Sequence, residues 1–241
     1  MDDPGRDGSI QDPRGDGRPL ALALGDPAGI GAEVTLKALA ALRPLEIPVV
    51  LVGCRRWLEG QYQALRRVSA EPLADPADFN WHDQPLGPGG GTIIPGAINA
   101  DSGAASFAWL TAATGLVLSG RCRALVTAPI AKTAWQAAGH AYPGQTERLA
   151  ELAGVPKASM LFTARPSWGK PGDWRLTTLL ATTHIPLAAV PAALSPTLIS
   201  HKLDVLLQFC RRFTNRPRLA IAGLNPHAGE GGHLGKEEST W

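Results

Sequence analysis

The chain has 241 residues, 44% hydrophobic and 18% charged, which is the balance of a globular protein with material for one large domain or two small ones, not of a disordered or fibrous chain. A net charge of +2, with basic residues scattered rather than interleaved with aromatics, leaves no footprint for nucleic acid. No apolar run is long enough to span a bilayer, and the acidic, glycine-rich start lacks a signal peptide's basic and apolar regions, so the expected location is the cytoplasm.

Residues 1–18 hold almost no apolar side chains and read as a disordered tail, with the folded region running over 19–241. Leu20–Leu24 is a short apolar run that breaks at Gly25-Asp26-Pro27. Ile30, Val34, Ala38 and Leu42 then recur at helical spacing. Pro48–Val52 predicts a second buried strand and Trp57–Val68 a helix, while 70–91, rich in Pro, Gly and Asp, predicts an irregular crossing. Ala100–Ser119 predicts a long helix of small residues leading into a strand at Ala124–Thr127. Further strands are expected at Ser159–Thr163, Arg175–Thr182 and Arg218–Ala222, with a helix at Pro196–Phe213 and a surface insertion at 165–174. Apolar strands separated by helices indicate a mostly parallel sheet covered on both faces, with ligands bound at the carboxyl ends of the strands. Cys54, Cys122 and Cys210 are isolated and form no CxxC pair, which speaks for a reducing compartment and against a thiolate metal site.

Three polar segments fall in loops after strands. The first, GDPAGIGAEV over Gly25–Val34, has the wrong spacing for the dinucleotide fingerprint G-x-G-x-x-G. Its glycines would let backbone approach a ligand, and the helix N-terminus offers N–H groups to an anion; a plain tight turn explains it equally well. The second is VTAPIAKTAW (Val126–Trp135) followed by YPGQTERLA (Tyr142–Ala150). Here Lys132 could hold a phosphate as a point charge, and Gln145 and Thr146, just ahead of a helix, could donate hydrogen bonds to a polar substrate. Thr146 as an N-cap and Lys132 as a solvated helix residue stay open beside that reading.

The third feature is a pair of histidines, His184 in ATTHIPL and His227 in GLNPHAGEGGHLG. Two imidazoles in turns at one edge of a parallel sheet can converge on a cation such as Zn²⁺. A lone loop histidine is more often a surface residue, and His233 could replace or join His227. The run WHDQ at Trp81–Gln84 sits in the irregular crossing and reads as surface.

Taken together, GDPAGIGAE, VTAPIAK, PGQTE, TTHIPL and GLNPHAGEGGHLGKEE, in this order from Gly25 to Glu238, resemble the 4-hydroxythreonine-4-phosphate dehydrogenase family of vitamin B6 (pyridoxine, pyridoxal phosphate) biosynthesis. The resemblance implies α/β/α layers like those of isocitrate and isopropylmalate dehydrogenases, two lobes with a cleft between, and a homodimer. It implies NAD and a divalent metal (Zn, Mg or Co) held by three histidines, of which His184 and His227 match two. By the same matching Gln145, Thr146 and Lys132 fall at substrate-binding positions. The implied reaction is oxidative decarboxylation of 4-phosphooxy-L-threonine to 3-amino-2-oxopropyl phosphate, with hydride passing to NAD.

Three departures from the family pattern stand out. Gln145 replaces a histidine, so that side chain can donate a hydrogen bond but carries no charge. Ala131 replaces a histidine often found just before the lysine. The third metal histidine is expected in a YHDQG-like stretch beyond Trp241, so the C-terminal part of the fold is expected to be missing. The alternatives are a dehydrogenase for another phosphorylated hydroxy acid or a dihydrodiol, or an inactive truncated member of the family.

Overall fold

The computed structural model describes residues 17–43, 46–87, 93–156, 158–164 and 175–240. Of the tail read over 1–18, residues 1–16 lie outside these residues, as does the insertion over 165–174, whereas Arg18 is described and its Nη1 donates to Gly120 O at 3.0 Å. Contacts divide the chain into two units, Met1–Lys157 and Ala158–Trp241.

The first unit is built on β1 (Leu20–Ala23), whose sequence LALA puts a large and a small side chain on alternate faces. Leu22 and Leu24 pack on one side with Leu36 and Leu39 of α1 (Gly31–Leu42) and Leu58 of α2 (Arg55–Leu65). Ala21 and Ala23 face the other way, onto Ala113 and Leu116 of α3 (Ala100–Leu118). Methyl groups on that face let a long helix of small residues lie close to the sheet. The strand pairs in parallel with β2 (Val49–Gly53) on one side and β4 (Ala124–Thr127) on the other. With β3 (Asn80–Asp83) beyond β2, the order is β3-β2-β1-β4, all parallel, between helices on both faces. The α/β/α expectation is met.

The stripe of Ile30, Val34, Ala38 and Leu42 marks a helix, as its spacing predicts, and forms the exposed face: Ile30 is 61% and Leu42 46% accessible. The buried face is Ala32, Thr35, Leu36 and Leu39, because α1 must point its bulkiest aliphatics at Leu22 and Leu24. The WHDQ run is not irregular surface. Trp81, His82 and Asp83 continue the sheet as β3, and Trp81 Nε1 donates to Pro76 O. A four-residue strand at an edge shows too little alternation to stand out.

The helix α3 starts at Asn99, whose Oδ1 accepts from Ser102 N at 2.8 Å, and stops ahead of Gly120 in left-handed conformation. α4 (Lys132–Ala137) lies directly on it: a Cβ placed on Gly103 would stand 1.9 Å from Ala134 O, so no other residue fits there. Two fully buried tryptophans seal this unit. Trp109 donates to Gln84 O at 3.0 Å and Trp135 to Ser106 Oγ at 2.8 Å, so neither indole N–H is left orphaned.

In the second unit β5 (Leu161–Ala164) and β6 (Leu176–Leu179) pair antiparallel. α6 (Val190–Ala193) precedes α7 (Pro196–Cys210), which is capped by Ser195 Oγ accepting from Leu198 N. Lys202 Nζ reaches Ser159 Oγ at 3.0 Å and ties α7 to the segment entering β5. The expected strand at Arg218–Ala222 does not form. Among the described residues no strand runs beside it, Ile221 is 64% exposed, and apolar sequence alone cannot make a strand without a partner for its N–H and C=O groups. The chain then enters α8 (Glu237–Thr240). No helix among the described residues is long and apolar enough to cross a membrane.

Trp109→Ala should cost about 3–5 kcal/mol, since it empties the contact between α3, Trp57 and the chain after β3 and strands Gln84 O. Denaturant unfolding of the two proteins side by side measures this, and a difference under about 1 kcal/mol would show that the indole is not a keystone of the core.

Candidate functional site

From β1 the chain runs through α1 to β2 on one side, whereas β4 pairs with β1 on the other. The gap between the carboxyl ends of β1 and β4 is therefore the switch point of the sheet, the place where open α/β sheets bind ligands. The GDPAGIG loop and the API loop after β4 meet there. Asp26 N donates to Pro129 O at 2.9 Å, and Gly96 N donates to Ala28 O at 2.7 Å, bringing in a third segment. A cleft of about 290 Å³ lies between them, walled by Ile30, Ile98, Pro129 and Ile130 and floored by Asp26.

The glycines of the first loop serve chain packing more than ligand approach. Gly25 has φ +74°, and a Cβ there would stand 2.3 Å from Pro129 O; on Gly31 it would stand 2.3 Å from Leu24 O. Only Gly29, with open space at 3.4 Å or more, borders the cleft without such a constraint. The Asp26 side chain, 3% exposed, accepts from Ala28 N at 2.8 Å through Oδ1. A carboxylate on this floor works against an anion at the α1 N-terminus, so the anion reading of the loop is not favoured. In the sequence an Asp before Pro reads as a turn residue, and only burial in the fold marks Asp26 out.

Beside the cleft, Ala131 lies in its wall and Lys132 opens α4. The Lys132 side chain is exposed and crosses Gly144, its Nζ 3.7 Å from where a Cβ on that glycine would be. Gly144 is the N-cap of α5 (Gln145–Leu152), so Gln145 and Thr146 are the first two helical residues rather than preceding it, and Thr146 is not the cap. Thr146 is exposed, whereas Gln145 is half-buried, with Nε2 3.4 Å from Ala128 O and Oε1 buried without a partner. The structure thus brings Lys132, Gln145 and Thr146 to one rim of the β4 end.

An aromatic cluster holds that rim. His140 stacks on Phe107 at 3.6 Å, and the Arg148 guanidinium lies over the Phe107 and Tyr142 rings, 4.7 Å and 5.7 Å from their centroids. Arg148 also pairs with Glu151 at 3.0 Å, while the Tyr142 hydroxyl donates to the same carboxylate. The tyrosine hydroxyl first and Arg148 second hold the Glu151 carboxyl below the usual range. Burial first and the Arg148 charge second push His140 below the ordinary histidine value.

The two candidate metal histidines lie in the second unit. His184 and His227 are both exposed, and both adopt left-handed backbone, with φ of 57° and 51°. Non-glycine residues seldom do so, and such positions concentrate at functional sites. His227 opens a left-handed run to Gly231, tied back by Asn225, whose N–H donates to Glu238 Oε1 at 2.6 Å and whose Nδ2 donates to Glu237 Oε2 at 2.8 Å. His233 is exposed at the end of that run. Among the described residues no three His, Cys, Asp or Glu side chains are grouped to hold a metal ion, so these imidazoles do not make a metal site by themselves.

Residues 45–241 match the family described as "Pyridoxal phosphate biosynthetic protein PdxA". A protein of Synechococcus sp. (strain RCC307) named 4-hydroxythreonine-4-phosphate dehydrogenase is 62% identical over 223 residues, 92% of this chain and 65% of the relative. One of the same name from Thermosynechococcus vestitus is 50% identical over 226 residues, 92% of this chain and 64% of the relative. The chain therefore spans less than two thirds of the length of these relatives. The crystal structure of 4-hydroxythreonine-4-phosphate dehydrogenase from Klebsiella pneumoniae superposes with a TM-score of 0.78 at 35% identity, covering 92% of this chain and 67% of that one.

Two outcomes follow from the geometry. Gly25→Ala should destabilise by at least about 1–2 kcal/mol from the left-handed backbone alone, and should part the two loops as the added methyl displaces Pro129; unchanged thermal unfolding would refute this. His140 gives up its proton more readily in the folded protein, so the unfolded chain binds the extra proton as pH falls through about 6.5. The stability tied to neutral His140 is complete above that pH and is lost as pH drops toward the lower folded value. Thermal unfolding between about pH 8 and about pH 5 should show this slope, and His140→Phe, which keeps the stack, should flatten it.

Proposed function

Because the chain belongs to the pyridoxal phosphate biosynthetic protein PdxA family, we propose that it oxidises and decarboxylates 4-phosphooxy-L-threonine with NAD, yielding 3-amino-2-oxopropyl phosphate. The observation that carries this reading is the meeting of the switch-point cleft with the rim formed by Lys132, Gln145 and Thr146. A dehydrogenase needs two ligands side by side, and these are two adjoining surfaces of opposite character, one apolar and one polar.

The polar rim suits the substrate. The Lys132 ammonium, exposed and free to swing, binds the phosphate as a point charge. The Thr146 hydroxyl and the first N–H groups of α5 donate hydrogen bonds to the remaining oxygens. Gln145 fixes the rim to the β4 loop through Ala128 O, and its amide stays neutral at every working pH. The cleft suits the dinucleotide, which when bound supplies the hydride acceptor. Its isoleucine walls keep water from the reacting face.

His184 and His227 are assigned as two imidazole ligands of a divalent metal (Zn, Mg or Co), on the strength of the family match and their shared left-handed backbone. The described residues group no third ligand with them. The reading also carries a homodimer in the cytoplasm, a phosphorylated small molecule as the binding partner, and no nucleic acid, in line with the near-neutral charge.

NADH formation from 4-phosphooxy-L-threonine, followed by absorbance with zinc, magnesium or cobalt present, tests the assignment. A faster rate with another phosphorylated hydroxy acid would overturn the substrate. Lys132→Ala should raise KM about tenfold with a smaller change in kcat, as expected for a lost phosphate contact. His184→Ala and His227→Ala should each abolish the metal-dependent rate, and normal turnover in either variant removes that residue from the ligand set.

A further inference from the structure

The polar rim hangs on a helix with little of its own to hold it. α5 spans eight residues, has no side-chain cap at Gly144 and buries no residue. A helix that short is marginal in water, so its place has to come from tertiary contacts. Gln145 supplies a long one, its Nε2 lying 3.4 Å from Ala128 O. Arg148 supplies several. Its side chain is 15% exposed, and its guanidinium lies 4.7 Å from the Phe107 centroid. Nη2 donates to Thr111 Oγ1 at 3.3 Å, an oxygen placed to accept because that hydroxyl donates to Phe107 O. Nη1 donates to the Tyr142 hydroxyl at 3.3 Å and to Glu151 Oε2 at 3.0 Å. One flat cation thus joins α5 to α3 and to the turn ahead of α5. Helix geometry carries that hold to the rim. Arg148 lies three residues after Gln145 and near its face, while Thr146, two before it, lies about 200° round the helix. With Arg148 turned onto α3, Gln145 faces the β4 loop and is half-buried, and Thr146 is exposed.

From this arrangement we propose that Arg148 is a positioning residue of the rim: it sets the rotation of α5, and a positive charge on His140 weakens its hold. The rotation decides where Thr146 and the first N–H groups of α5 meet a phosphate. The inference rests on reading the rim as the phosphate-binding surface of the substrate site. His140 stacks on the same Phe107 ring, 3.6 Å between centroids, so its protonation sets a second cation beside the guanidinium. Burial first and the Arg148 charge second already oppose that protonation, and by reciprocity a proton bound there opposes the place of Arg148. The other titratable groups of the cluster are Glu151, paired with Arg148, and the Tyr142 phenol, which donates to Glu151. α3 brings Phe107 and Thr111 and α4 brings Trp135, none of which titrates. Lys132 and Glu147 stand at Gly144, on the rim itself.

Inorganic sulfate is the probe, because its charge is constant over the range in which a histidine titrates, about pH 5 to about pH 8. Its binding is followed through the amide NMR signals of Gln145 and Thr146. Arg148→Lys keeps the charge and loses the flat fork, which separates positioning from a general pull on anions. It should move both amide signals, weaken sulfate about tenfold at about pH 8, and leave the melting temperature close to that of the wild type. In the wild-type protein sulfate affinity should fall as pH drops through the His140 titration, read from its imidazole signals. His140→Phe keeps a ring in the stack and should abolish that fall; it decides the matter if Arg148→Lys does not fold. Wild-type sulfate affinity in Arg148→Lys overturns the inference, whether or not the amide signals move. So does a fall with pH that survives His140→Phe, or a rise in affinity as His140 gains its charge. If wild-type protein binds no sulfate while Arg148→Lys moves both amide signals, the placement by Arg148 stands and the rim falls as a phosphate surface.

Discussion

One close approach organises the first unit: the turn after β1 lies against the turn after β4, backbone on backbone, with Gly25 where no side chain can stand and Asp26 N held by Pro129 O. The approach is possible because β1 and β4 are neighbours in register, Leu20 beside Ala124 through to Ala23 beside Thr127. Their ends therefore finish level, and the loops leaving them have to touch. The buried carboxylate, the isoleucine walls and the start of α4 are all placed by that contact. Further out, the β4 loop carries Ala128, to which Gln145 is tied, so the α5 rim inherits its position from the same pair of turns.

Most of the first unit was legible because its signals are local. The LALA run, the VVLVG run and the long small-residue helix each announce their element within a few residues. What escaped depends on partners far along the chain. The inward face of α1 is chosen by Leu22 and Leu24, and periodicity alone, given apolar residues on two faces, does not say which one is buried. Strand β3 exists because Val50–Gly53 offers it an edge, not because Asn-Trp-His-Asp favours extension. Arg218–Ala222 is the converse case, an apolar segment with no strand edge beside it among the described residues.

The site shows the same division. Lys132, Gln145 and Thr146 were visible as polar residues just past a strand, and their convergence follows from the short link between α4 and α5. Asp26 was hidden in plain view, since its chemistry comes from burial and burial is a property of the fold. For His184 and His227 the residue types were readable, whereas the left-handed backbone they share was not, because neither is a glycine or asparagine that would advertise it.

Shape and choice are held by different residues in this architecture. Gly25, Gly31 and Gly103 maintain the scaffold by having no side chain, and any substitution there is felt as a collision with backbone. The residues proposed to meet a ligand, Lys132 and Thr146, are exposed side chains at the starts of α4 and α5. Selection acting on the second group can therefore explore new ligands while the first keeps the framework constant, which makes this rim an evolvable surface on an unyielding frame.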